Sequence, residues 1–389
     1  MRSMRIVLLV APLIALLTQV LFPGKGSTLP LFARKYSMPC TQCHFAFPKL
    51  NAFGLKFRQN GYRMEGAKGE SPWESPNFPL SLVGNVGYSY LNTNTADSTG
   101  ARTSFRYGAF VQNAVEFHTA GTLAEHITFH FDNGFADGAG GTLESGMAFV
   151  QFDDLGKEGA LNVKAGIYDA EIPYLADSRK TTLHGYLMPV TLDGQGIELN
   201  GTKSGWTYAA GVINSGRNPL NAKPGTTSFN QLEDVYGWLM RDLSGQYVTV
   251  RVFSDRQDPR KPDATASGHL QVDASAQLSS GRWIIIPGYT YESFDDQPGV
   301  GITDKHQTGL LEGLLWLDSS NRWLLTGRAE ITDIAKNDLL PVMDLQQQVV
   351  NLSFYANPNA KVALEWAHGA DNVQGPRLNS VDVYVHVAY

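Results

Sequence analysis

The 389-residue sequence is poor in cysteine, in charge and in long hydrophobic runs. It has two cysteines, and only 17% of its residues are charged. Its net charge of −6 argues against a nucleic-acid partner, because proteins that bind nucleic acid present a basic surface. After residue 22 no stretch approaches the roughly 18 continuous apolar residues that a membrane-spanning helix needs. The mean hydropathy of −0.19 agrees, so the chain does not cross a membrane as a helical bundle.

The first residues predict export. Arg2 and Arg5 are followed by an apolar run over 6–22, the pattern of a secretory signal peptide. The alternative is a membrane-anchor helix, for which Pro12 and Gln19 are unfavourable. We therefore predict that residues 1–27 are a signal peptide.

Both cysteines lie in one short motif, "MPCTQCHFAFPKLN", with His44 directly after Cys43. Random placement would give this arrangement with a chance of roughly one in ten thousand. A disulfide between Cys40 and Cys43 would close a tiny loop and add little stability. A thioredoxin-like motif needs a βαβ setting, which does not follow. A structural zinc site needs two more Cys or His ligands, and residues 45–76 contain neither.

The motif predicts one covalently bound haem c. Two thiols three residues apart can bond the two vinyl groups of one haem, and His44 then supplies the proximal ligand to the iron. Met64, in "QNGYRMEG", is the candidate distal ligand. A histidine of the following domain, or no protein ligand at all, remains open.

From residue 80 onward the sequence alternates between apolar and polar residues in stretches of about ten. In "HLQVDASAQL", Leu270 and Leu278 share one face, and Gln271 and Asp273 share the other. Seven short turns, the first of them "TAGTLA" at 119–124, alternate with eight longer loops and so separate sixteen strands. This pattern predicts an all-β fold for residues 79–389, a 16-stranded transmembrane antiparallel β-barrel of an outer membrane with its short turns in the periplasm. The alternative, a soluble array of β-sandwiches, does not account for sixteen similar hairpin-linked strands.

Aromatic residues and the C-terminus support the barrel. Tryptophans follow or precede short turns, which predicts an aromatic girdle in contact with lipid at the periplasmic interface: Trp206, Trp283, Trp316 and Trp323. The final strand, "VDVYVHVAY", has an apolar face that runs from Val381 to Tyr389. Such a strand would aggregate as a free edge, so we expect it to pair with the first strand and close the barrel.

Residues 28–78 form a separate segment that is too short to build a good core alone. We predict a monohaem cytochrome c segment that plugs the barrel lumen, because a barrel of this size encloses space for it. Inward polar side chains would surround the segment: Arg106, Gln112, Glu116, His118, His126 and His130. Acidic residues of the longer loops, such as Glu171 and Asp177, are expected to be solvated.

The segment "FARKYSMPCTQCHFAFPKLNAFGLKFRQNGYRM" resembles the head of the fused monohaem cytochrome–porins of iron-oxidising bacteria. Their motif, C-x-x-C-H followed by A-x-P-x-L, is matched here by Cys40, Cys43 and His44 and then by Ala46, Pro48 and Leu50. The resemblance implies that Pro48 and Leu50 belong to the cofactor-binding site. It also implies an outer-membrane oxidoreductase that takes electrons from Fe(II) outside the cell and passes them to a periplasmic c-type cytochrome.

Two alternatives stay open, because the motif is less specific for iron than for the combination of haem and barrel. The first is a conduit for an electron donor or acceptor other than iron. The second is a solute porin in which the haem segment is a structural plug.

Overall fold

The computed structural model describes residues 31–64, 69, 79–96, 102–134, 144–215, 234–256, 268–294, 304–334, 345–371 and 377–388. The predicted signal peptide, residues 1–27, lies outside the described residues. Among the residues described, no helix has the length and hydrophobicity to cross a membrane.

Most of the described chain is β-strand. The N-terminal part contains the helices α1 (Leu31–Tyr36) and α2 (Ala52–Gln59) and a small hairpin of β1 (His44–Ala46) and β2 (Lys49–Leu50). The longer strands are β3 (Ser81–Ala96), β4 (Arg102–Ala124), β5 (Ile127–Gly134), β6 (Glu144–Phe152), β7 (Asn162–Asp169), β8 (Asp193–Lys203), β9 (Trp206–Ser215), β10 (Asp234–Asp242), β11 (Tyr247–Arg256), β12 (Gly268–Ser280), β13 (Trp283–Phe294), β14 (Asp304–Trp316), β15 (Trp323–Ile334), β16 (Leu345–Asn357), β17 (Ala360–Asp371) and β18 (Arg377–Ala388).

Strands β3 to β18 form one closed antiparallel barrel of sixteen strands in the described part of the chain. Each strand pairs with the next along the chain, and β18 pairs with β3, from Arg377 opposite Asn94 to Ala388 opposite Val83. The predicted closure of the final strand on the first is therefore confirmed. Tyr389, the last residue of that strand in the prediction, lies outside the described residues.

The two faces of the barrel strands have opposite polarity. On β12 the side chains of Leu270 and Leu278 are 42% and 41% exposed, whereas Gln271 and Asp273 are fully buried. Side chains alternate between the faces of a strand, so the apolar face points outward and the polar face points into the lumen. An apolar exterior with a polar interior is the arrangement that a lipid bilayer requires.

The short connections lie together at one end of the barrel, as predicted, but the first of them is displaced. Residues 119–124 belong to β4, and the turn that follows consists of Glu125 and His126. Gly121, in the middle of this stretch, lies within the strand with a φ of 154°.

Three of the four tryptophans near short turns are exposed, in agreement with the predicted girdle: Trp206, Trp283 and Trp323. The prediction for Trp316 is wrong. Its side chain is only 4% exposed, and its indole Nε1 donates a hydrogen bond to the carbonyl oxygen of Phe45 at 3.2 Å. It therefore faces the lumen and holds the N-terminal segment.

The N-terminal segment, residues 31–64, lies inside the lumen. Asn51 caps the N-terminus of helix α2, because its side-chain oxygen accepts a hydrogen bond from the backbone N–H of Gly54 at 2.9 Å. Asn60 caps the C-terminus, and Gly61 follows with a φ of 63°, a conformation that glycine adopts without strain. Leu55, on its buried face, packs in a cluster with Ile172, Tyr174 and other apolar residues.

The connection between β7 and β8 also folds into the barrel. The Arg251 side chain, fully buried on β11, pairs with Asp273 at 2.6 Å. Its remaining nitrogens donate to backbone carbonyl oxygens of this connection, that of Val190 at 2.8 Å among them. Glu171 in the same connection is buried and pairs with Arg58 of α2. The expectation that Glu171 is solvated is therefore wrong, because its loop turns inward.

Candidate functional site: a cavity beside the C-x-x-C-H motif

The motif residues are brought together by a tight turn followed by the hairpin. Residues Cys40–Gln42 form a 3-10 turn, and the backbone N–H of Cys43 donates to the carbonyl oxygen of Cys40 at 3.2 Å. His44 then begins β1 and pairs with Leu50 of β2. No disulfide bond joins Cys40 and Cys43.

The orientation of His44 is set by a backbone carbonyl. Its Nδ1 lies 3.1 Å from the carbonyl oxygen of Pro48. A carbonyl oxygen can only accept, so Nδ1 carries the proton and donates it. The lone pair of this tautomer is therefore on Nε2, and the carbonyl oxygen of Pro48 sets the orientation of the imidazole.

Burial shifts the pKa values of all three groups. It lowers the pKa of His44 to about 4, with the hydrogen bond to Pro48 partly opposing this effect, so the imidazole is neutral at pH 7. It raises the pKa of Cys40, and it raises the pKa of Cys43 to about 11 with a further contribution from Cys40. Reactive redox thiols have lowered pKa values. The raised values argue against a thioredoxin-like role for this pair.

A cavity of about 720 Å³ lies between the motif and the barrel wall. Its lining includes all five residues that the sequence assigns to cofactor binding: Cys40, Cys43, His44, Pro48 and Leu50. The volume falls within the range of about 300–1,000 Å³ that is typical of small-molecule and cofactor sites. Two thiols and a neutral imidazole on the wall of one such cavity fit a covalently attached haem c.

The structure divides the predicted lumenal residues into two groups. Glu116, His118 and His130 line the cavity. Arg106 is exposed elsewhere on β4, and His126 is exposed in the turn after it. The side chain of the sixth, at position 112, lies outside what the structure describes.

The candidate distal ligand, Met64, is placed in an apolar cluster with Phe57, Tyr62 and Ala120. The residues that line the cavity include Met38 instead, from the turn that precedes Cys40. Distal ligation by Met64 stays a prediction.

Buried polar contacts fix the segment against the barrel wall. Lys49 Nζ and Glu312 Oε1 are 3.1 Å apart, with both side chains essentially inaccessible to solvent. Tyr186 of the inward connection donates to the same carboxylate at 2.8 Å. The Tyr355 hydroxyl donates to the carbonyl oxygen of Phe47 at 2.8 Å. Such contacts hold the C-x-x-C-H motif at one place in the lumen.

Comparisons with known proteins match the barrel. The outer membrane channel DcaP of Acinetobacter baumannii is similar over 80% of this chain and 97% of its own, with 10% identity and a TM-score of 0.60. The anion-selective porin from Comamonas acidovorans covers 80% of this chain and 99% of its own, with 12% identity and a TM-score of 0.58. OprB of Pseudomonas putida is similar over 80% of this chain and 93% of its own, with 11% identity and a TM-score of 0.52. No family model and no curated protein sequence matches the chain.

The fold and its lipid-facing exterior define a porin-type β-barrel of the outer membrane. The predictions of the barrel and of its location are confirmed. The prediction of an oxidoreductase enzyme is wrong, because the structural neighbours are porins, which are channels and not oxidoreductases. These neighbours support the channel fold that the solute-porin alternative requires, and they carry no information on Fe(II) oxidation or electron transfer.

Proposed function

We propose that this protein is a plugged outer-membrane barrel that holds one covalent haem c in its lumen and conducts electrons across the membrane. Its donor is Fe(II) outside the cell, and its acceptor is a periplasmic c-type cytochrome. In this role the protein is an electron carrier with a channel fold. The observation that carries the proposal is the cavity, whose wall presents the thiols of Cys40 and Cys43 together with His44.

The two thiols would attach the haem, and His44 Nε2 would bind its iron, with the imidazole oriented through Nδ1 by the carbonyl oxygen of Pro48. A haem c bound there supplies one-electron redox chemistry. The protein's own contribution is to hold the imidazole neutral, to exclude water with the apolar side chains of Phe47 and Leu50, and to anchor the segment through Lys49.

The filled lumen supports electron conduction over solute passage. The N-terminal segment and the inward connection between β7 and β8 pack on each other through Leu55 and Ile172 and through the pair of Arg58 with Glu171. Both also bond to the barrel wall, as Lys49 does to Glu312. Opposite charges buried in this way are costly to separate, so the plug resists displacement.

The position of the segment supports a periplasmic acceptor. Arg63, near its end, pairs with Asp154 at 2.8 Å, and Thr128 donates to the carbonyl oxygen of Gly61 at 3.1 Å. Asp154 lies in a short turn, and short turns of outer-membrane barrels face the periplasm. Fe(II) as the donor rests on the resemblance of the "CTQCHFAFPKL" motif to the cytochrome–porins of iron-oxidising bacteria.

A second candidate function is a solute porin in which the N-terminal segment is a structural plug. The similarity of the barrel to porins favours it. A conduit for a donor other than iron differs from the main proposal only in its partner. The two can be distinguished by testing which reductants reduce the haem.

The test uses the purified full-length protein, expressed with a c-type cytochrome maturation system. We expect one haem per chain, resistant to acid–acetone extraction, and rapid appearance of the reduced absorption band when Fe(II) is added without oxygen. The double variant Cys40→Ala/Cys43→Ala loses covalent haem, because the two thiols are the attachment points.

Lys56→Met is the matched control, since Lys56 lies in the same segment, its side chain is 68% exposed, and it is not among the residues that line the cavity. Covalent haem is expected in this variant at the wild-type amount. A wild-type chain without covalent haem would overturn the proposal. A haem that other donors reduce but Fe(II) does not would exclude iron as the partner.

A further inference from the structure

A cluster of metal-binding side chains lies on the barrel wall beside the haem cavity. It consists of His118 on β4 and of His130 and Asp132 on β5, and one ligand atom of each lies within 4.8 Å of the others. The strand pairing explains this proximity, because His118 lies opposite Asp132 in the β4–β5 register. His130 shares the inward face with Asp132, since the two are separated by two positions on one strand.

The second atom of each of these side chains has a partner that orients it. The hydroxyl of Tyr62 lies 2.9 Å from Nδ1 of His130, and Glu116 Oε2 lies 2.9 Å from Nε2 of His118. The backbone N–H of Met147 donates to Oδ1 of Asp132 at 2.5 Å. Metal-binding imidazoles and carboxylates usually have such outer partners.

The atoms that remain converge on one point. They are Nε2 of His130 and Nδ1 of His118, which lie 2.9 Å and 3.7 Å from Oδ2 of Asp132. Metal–ligand bonds to these atom types are about 2.0–2.2 Å long, so small side-chain rotations let one cation bind all three. Among the described residues, Asp132 forms ion pairs with His118 and His130.

The geometry points to a divalent transition-metal site formed by His118, His130 and Asp132. Two imidazoles and one carboxylate with open positions are the ligand set that non-haem Fe(II) sites use. All three residues line the cavity that also contains Cys43 and His44. On the proposed function, on which the identity of the metal rests, these three residues would hold Fe(II), the electron donor.

The test measures binding of Co(II), a probe that resists oxidation by air. The full-length haem-loaded protein is dialysed to equilibrium against Co(II), and the bound cobalt is counted by elemental analysis. We expect one saturable site per chain. Asp132→Asn and His118→Gln each weaken binding by at least about tenfold, and Tyr62→Phe weakens it by about tenfold through the loss of the hydroxyl beside His130.

His126→Gln is the matched control, because His126 lies on the adjoining turn and its side chain is 58% exposed. We expect Co(II) binding equal to wild type in this variant. Equal binding in all the variants, or no saturable site, would overturn the inference. It would also be overturned if the histidine substitutions shift the haem absorption bands and leave Co(II) binding unchanged, because the histidines would then be haem ligands.

Haem content, measured in the same samples, separates this inference from the proposed function. A chain that binds Co(II) as expected but carries no covalent haem would contradict the proposed function and support the metal site. A chain with full haem content and no saturable Co(II) site would support the proposed function and contradict the metal site.

Discussion

The carbonyl oxygen of Pro48 determines which nitrogen of His44 can bind a metal. Because it accepts the Nδ1 proton, the lone pair is left on Nε2. The pKa of about 4 means that this lone pair is free of competition from protons at neutral pH. A single backbone contact thus prepares the imidazole for ligation, and the same local stretch contains both thiols.

Gly54 of α2 lies so close to the backbone of Cys43 that no side chain fits at this position. A Cβ atom added there would overlap the carbonyl oxygen of Cys43, and backbone atoms cannot move aside as a flexible side chain can. We expect Gly54→Ala to displace α2 from the motif, with a loss of about 1–3 kcal/mol in segment stability and less haem attached per chain. The haem absorption per mole of protein measures this effect.

Gly281→Ala is the matched control for this substitution. A Cβ atom at Gly281 has no neighbour within 4 Å, and its backbone φ is outside the left-handed region. Its haem content should equal that of the wild type. If Gly54→Ala also retained full haem content, the close approach of α2 to the motif would not matter for attachment.

Among the structural elements, the β1–β2 hairpin connects the C-x-x-C-H motif to the barrel. Lys49 on β2 pairs with Glu312 on β14. Trp316 donates a hydrogen bond to the backbone of Phe45, and Tyr355 donates one to the backbone of Phe47. The inward connection between β7 and β8 closes over the same region through Tyr186. The plug is therefore held by several strands rather than by the chain linkage alone.

Lys49→Met should loosen the plug. It leaves the carboxylate of Glu312 buried without its cation, at a cost of about 3–5 kcal/mol. Local opening of the segment then rises by roughly a hundredfold or more, which limited proteolysis of the N-terminal segment in detergent can follow. Lys49→Met/Glu312→Leu should restore much of the protection, because neither charge remains buried.

Lys56→Met is the control within the same segment. Lys56 pairs with Asp242 at 3.4 Å, but its side chain is 68% exposed, so the pair contributes about 0–1 kcal/mol. Proteolysis of this variant should match that of the wild type. Equal protection of Lys49→Met and Lys56→Met would contradict the anchoring role of the buried pair.

On the scale of the whole molecule, the number of strands, their pairing order and the inward face of most of them could be predicted from the sequence. Alternation of polarity is a local property, and in an outer-membrane barrel it separates lipid from lumen. The C-x-x-C-H motif is also a local feature of the sequence. Its five predicted cofactor-binding residues line one cavity, because a tight turn and a short hairpin bring this stretch of chain together.

Contacts between distant parts of the chain could not be predicted in this way. The pairing of Glu171 with Arg58 depends on a loop that folds inward, which no local pattern indicates. The cluster of His118, His130 and Asp132 was missed because the first turn was misplaced. A hairpin centred on 119–124 sets His118 opposite Glu125, whereas the observed register sets it opposite Asp132.

The proposed function requires a barrel that passes electrons while its lumen stays closed to solutes. Both properties can be measured together in proteoliposomes that contain the haem-loaded protein and an entrapped c-type cytochrome, with Fe(II) added outside. We expect reduction of the entrapped cytochrome, abolished by Cys40→Ala/Cys43→Ala, while an entrapped small fluorescent dye is retained. Vesicles that release the dye and leave the cytochrome oxidised would contradict electron conduction and identify a solute porin.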